Sequence, residues 1–82
     1  MSRKIKLIWD FRGEVATKTA EHHDIHLKEY LEKEKIVLEK TGFETINEMH
    51  AIAFIVVEEK DMISFRDVLK PHRGELFEPK NQ

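Results

Sequence analysis

Three of the chain's five histidines fall within five positions, His22, His23 and His26, in the stretch AEHHDIHLKEYL. Imidazoles are the side chains best suited to proton transfer near neutral pH, and they also ligate metals. His22 and His26 have the H-x-x-x-H spacing that lets two rings share an ion on one helical face. Zinc sites want three or four ligands, however, and H-H-D-I-H lacks the glutamate of an H-E-x-x-H motif. A third ligand would have to come from Asp10, His50 or His72, so no metal and no other cofactor is expected. The absence of cysteine removes thiolate ligands, disulfides and cysteine nucleophiles together. The two serines, Ser2 and Ser64, show no sign of activation.

Acid–base candidates therefore come first. Asp10 and His50 lie on the weaker faces of two strands expected to be neighbours. Titratable groups on a largely apolar face are costly unless paired. They fit either a structural hydrogen bond or general acid–base work. Two Arg-Gly steps, Arg12-Gly13 and Arg73-Gly74, flank opposite ends of the chain. If the first and last strands run antiparallel side by side, the two steps meet at one edge, beside the start of the first helix. Arg12, His72 and Arg73 would then form a mouth for a carboxylate or phosphate, because guanidinium forks bind such groups bidentately. Salt bridges to Glu14, Glu75 or Asp10 are the structural alternative.

The elements that must position these residues follow from periodicity. Ile5, Leu7, Trp9 and Phe11 alternate with Lys4, Lys6, Ile8 and Asp10, a strand with one strongly apolar face. Residues 15–35 carry neither Gly nor Pro and read as a long helix. Its apolar stripe is Ala16, Ala20, Leu27 and Leu31. His23 falls within that stripe, His26 and Tyr30 on its border, and His22 toward solvent. Asp24 with Lys28 and Glu29 with Lys33 are i,i+4 pairs expected on a solvated surface. A short strand is expected at 43–46 and a buried one at 49–57. Ser64-Phe65-Arg66-Asp67 reads as a capping-box variant with Ser64 as N-cap of a second helix, stopped by Pro71. A last strand lies near 75–77, and the tail from about 78 is expected to fray.

The order β-α-β-β-α-β predicts a single α+β domain over 1–82, the ferredoxin-like two-layer plan with both helices on one sheet face. Both faces of the third strand are apolar, so the second sheet face would be left bare. A bare apolar face marks an interface, and a chain of 82 residues buries only about 60–65% of its unfolded surface. A homodimer closed through its sheets is therefore expected.

In this order of elements the chain resembles the dimeric α/β-barrel superfamily, and within it the small YCII-related domains. His26-Leu27-Lys28-Glu29-Tyr30-Leu31 is similar to the family's R-x-x-H-x-x-[YF]-L motif, and Pro71-His72-Arg73-Gly74 to its D-P-x-x-x-G-like turn. His23 stands where the family has Arg, and Lys70 where it has Asp. Of the family's His–Asp pair, only His26 carries over. The resemblance implies a homodimer of uncertain function.

Charged residues are 37% of the chain but nearly cancel, to a net charge of −2. A nucleic-acid partner is not expected, since such domains carry a basic stripe. No apolar run approaches the ~20 residues that span a bilayer, and the basic start is no signal peptide, so a cytoplasmic protein is expected. Two functions remain open. One is a small-ligand-binding domain, catalytic or not, whose cleft lies between the sheet and the first helix, with His26, His50 and Asp10 as acid–base groups and Arg12, Tyr30, His72 and Arg73 around a small anionic or polar ligand. The other is a non-catalytic structural or interaction module.

Overall fold

The structure, a computed structural model, describes residues 3–77. The expected fraying of the tail from about 78 lies outside that range. The first strand, β1 (Lys4–Arg12), leads into helix α1 (Ala16–Lys33), strands β2 (Lys40–Asn47) and β3 (His50–Glu58), helix α2 (Met62–Leu69) and strand β4 (Arg73–Phe77). The four strands form one antiparallel sheet in the order β2-β3-β1-β4. This α+β arrangement is compatible with the ferredoxin-like plan. No helix of the described residues is long and apolar enough to cross a membrane.

Alternation along β1 and β3 builds two cores. Leu7, Trp9, Ala53, Ile55 and Val57 pack with Leu27 and Leu31 of α1, and half-buried Met62, Phe65 and Leu69 bring α2 onto the same face. At the other end of α1, Ala16 and Ala20 meet Ala51, and these small side chains let helix and sheet approach closely.

The opposite face carries Ile8, Ile52, Phe54 and Val56. The sequence suggested that it would be bare, yet these four are only 1–8% exposed within the single chain. Phe77 packs against them, and the Lys6 ammonium lies 4.4 Å from the centre of the Phe54 ring. Long charged side chains cover apolar surface with their stems while their heads stay in water. A dimer is therefore not required to cover this face.

Two local expectations are corrected. β3 runs from Glu58 into a 3-10 turn, Glu59–Asp61, that continues directly into α2, so Ser64 is the third residue of that helix and not its cap. Asp61 holds the N-cap position without a side-chain bond. Asp24 does bond Lys28, at 3.0 Å, but its side chain is buried. It lies four residues after Ala20 and three before Leu27, on the apolar stripe itself.

The turns that place the site are explained by backbone geometry. Gly13, at φ +110°, donates its N–H to the Met49 carbonyl at 2.8 Å and ties the exit of β1 to the entry of β3. Such a φ is open to glycine at little cost. Pro71 disfavours the right-handed helical region for the residue before it, and α2 ends with Lys70 in the left-handed region, at φ 54°.

Candidate functional site

Asp10 organises the most connected group of polar side chains among the described residues. In β1 it stands opposite Ile52 of β3, and Ile8, two residues earlier, stands opposite Arg73 of β4. Both neighbours of Asp10 are diagonal ones. Across one diagonal its Oδ1 meets His50 Nε2 at 2.8 Å. Across the other, Arg73 donates from Nε to Oδ2 at 2.8 Å and from a terminal nitrogen to Oδ1 at 3.2 Å. Arg73 also pairs with Glu75.

The electrostatics follow. The Arg73 hydrogen bond foremost, and the His50 bond after it, hold the Asp10 carboxyl at about 2, against the opposing effect of partial burial. An ionised carboxylate only accepts, so His50 donates from Nε2, which makes Nδ1 the basic nitrogen of its neutral ring. The Asp10 and His50 side chains are only 17% and 13% exposed, so this pair is shielded from bulk water.

Arg12 stands directly opposite His50. It lies two residues from Asp10 on the same strand and hence on the same face. Arg12 is exposed, and no ion pair holds it among the described residues. The expected meeting of the two Arg-Gly steps does not occur. Arg73 pairs with Ile8, four residues short of Arg12, an offset of roughly 13 Å along a strand. That offset sends the Arg73 guanidinium to Asp10.

His72 reaches the same carboxylate residue through its backbone. The Asp10 N–H donates to His72 Nδ1 at 2.8 Å, and the His72 N–H donates to the Ile8 carbonyl at 2.9 Å. The His72 ring then carries its proton on Nε2. It stands edge-on to Phe11, beside a cleft of about 350 Å³ between α2 and β4 that Met62 and Arg66 also line.

His26 and Tyr30 of α1 lie apart from this group, and His23 meets its edge at Phe11 and His72. The His23 ring packs between Trp9 and Phe11, with centroids 4.9 and 5.5 Å away, and its buried Nε2 has no partner among the described residues. Burial, and after it the nearby His26 and His72, push its pKa down. His26 is on the outer surface of the helix, its side chain 77% exposed and 3.6 Å from Glu29. Tyr30 lines a second cleft, between the connector after α1 and α2. Among the described residues no three His, Asp or Glu side chains gather as a metal site.

The class that these observations define is an α+β domain with an Asp–His–Arg network on the helix-free face of its sheet. The chain was also compared with protein-family models, curated proteins and solved structures, and nothing matches in any of the three.

Proposed function

We propose that the domain binds a small polar or anionic ligand against the helix-free sheet face. His50 is its acid–base group, Asp10 orients that imidazole and Arg12 is the open cation. The observation that carries this reading is the 2.8 Å contact between Asp10 and His50. A carboxylate held anionic fixes the His50 tautomer and leaves Nδ1 as the accepting nitrogen, which suits an imidazole to proton transfer. Arg12 supplies a planar fork on the same face. The charge of Arg73 is engaged by Asp10 and Glu75, so Arg73 positions Asp10 and leaves the ligand to its neighbours.

The homodimer implied by the resemblance to YCII-related domains, closed through two sheets, would shut this site from solvent. Light scattering that returns twice the 9.8 kDa chain mass at micromolar concentration supports that assembly, and a monomer counts against it.

The site is tested by NMR titration with inorganic phosphate and with acetate. Saturable shifts at His50 and Arg12 are expected, lost in Arg12→Ala and in His50→Ala, with His26→Ala still binding. Loss of binding in His26→Ala would instead move the site to α1, where the family resemblance puts it. No saturable shift with either anion leaves the second reading, a non-catalytic interaction module. That reading draws on the full satisfaction of both Asp10 oxygens within the chain, which lets the network serve only to pin β3, β1 and β4 together.

A further inference from the structure

The cleft beside Tyr30 has a charge pattern opposite to that of the Arg12 face. After α1 the chain turns at Lys35, and the Ile36 N–H donates back to the Leu31 carbonyl at 2.9 Å. β2 then begins at Lys40, opposite Val56, so β3 outruns it by Val57 and Glu58. The connector, the end of β3 and α2 are left bounding a cleft of about 450 Å³. That volume falls within the roughly 300–1,000 Å³ of small-molecule sites.

Its walls are apolar and aromatic. Ile36, Leu38 and Phe65 are half-buried and Val68 is exposed, with the Tyr30 ring at one side. Three carboxylates, Glu39, Glu58 and Asp61, stand around it against one lysine, Lys4. Lys4 is already engaged by Glu39 at 3.0 Å. Glu58 stands opposite Lys4 and lies 3.9 Å from Lys60, and no ion pair holds Asp61 among the described residues.

We infer that this cleft binds a small molecule with an apolar body and a single ammonium group. The apolar body lies against Ile36, Leu38 and Phe65, and the ammonium is received by Glu58 and Asp61. Aromatic faces add to the attraction for a cation where the ring of Tyr30 or Phe65 is within reach. An anionic ligand of the same shape is repelled by the two carboxylates. This site is independent of the His50 reading, and neither stands or falls with the other.

The test uses octylammonium, octanol and octanoate, three probes that share one tail and differ in charge. Amide NMR of the full chain should show saturable shifts with octylammonium that centre on residues 36–39, 56–58 and 61–68. Octanoate should bind at least about tenfold more weakly, the scale of one favourable charge interaction. Glu58→Gln combined with Asp61→Asn should close that gap, and Ser64→Trp, which fills the cleft from an exposed helical position, should abolish binding. Equal binding of octylammonium and octanoate, shifts centred elsewhere, or no saturation at millimolar octylammonium overturns the proposal. The double carboxylate variant keeps the test decisive if Ser64→Trp fails to fold.

Discussion

Asp10 accepts a hydrogen bond from His50 Nε2 at 2.8 Å while Arg73 grips the same carboxylate from the opposite strand. One side chain thus ties the central strand of the trio to both of its neighbours. Asp10→Asn should cost about 1–3 kcal/mol in urea unfolding, because it leaves two partly shielded donors without their anion. The same variant should displace the His50 ring signals in NMR, because the Nε2 donor loses its carboxylate partner. Unchanged stability would mean that the network contributes nothing net to the fold.

Acid should lower the stability of the protein in two stages. Burial lowers the pKa of His23 below its ordinary 6.5 in the folded state, so the unfolded chain binds the proton more readily. That contribution is present above pH 6.5 and is lost as pH falls through the depressed folded value. Asp10 is likewise depressed, from 3.8 to about 2. Its contribution, about 2 kcal/mol on this linkage, is present above pH 3.8 and lost as pH falls toward 2. Urea unfolding across pH should show the upper stage vanish in His23→Gln and the lower one in Asp10→Asn.

His23→Phe should be neutral or stabilising at pH 7, by up to about 1 kcal/mol. The aromatic contact with Trp9 and Phe11 is kept, and a buried nitrogen that has no partner among the described residues is removed. A loss above about 2 kcal/mol would show that the imidazole makes a bond that a phenyl ring cannot.

Two lysines, Lys35 and Lys70, hold the left-handed conformation at the ends of the helices, with φ of 57° and 54°. Glycine at either position removes the steric cost of a Cβ there, offset in part by greater freedom of the unfolded chain. Lys35→Gly and Lys70→Gly should each raise stability by about 0.5 kcal/mol, seen as a higher melting temperature.

Where α1 crosses β3, Ala20 and Ala51 are completely buried against one another. Ala20→Leu should cost about 1–3 kcal/mol, since the added branch must push the helix off the sheet. Thermal unfolding measures this directly, and a melting temperature equal to that of the parent would mean the helix can shift without loss.

The order of elements was legible in the sequence because it rests on local periodicity. Alternation over 5–11 marks β1, and the stripe Ala16, Ala20, Leu27, Leu31 marks α1 without reference to any distant residue. The same stripe contained the signal for Asp24, which its i,i+4 pairing with Lys28 masked. The pairing of Asp10 with His50 was also within reach, since it requires only that two polar positions share one face of neighbouring strands. The start of α2 was not, because the turn out of β3 runs on into the helix and overrides the cap chemistry of Ser64.

The sequence by itself determined which residues form strands and helices and which strand faces are apolar. The tertiary structure decided the register. β4 meets β1 with Arg73 opposite Ile8, so its guanidinium goes to Asp10 and leaves Arg12 open. It also decided that Ile8, Ile52, Phe54 and Val56 are buried within one chain, where Phe77 packs against them and Lys6 lies over Phe54. The physical reason is that alternation is a property of one strand. Register and side-chain cover are settled only when strands far apart in the chain compete for the same partners.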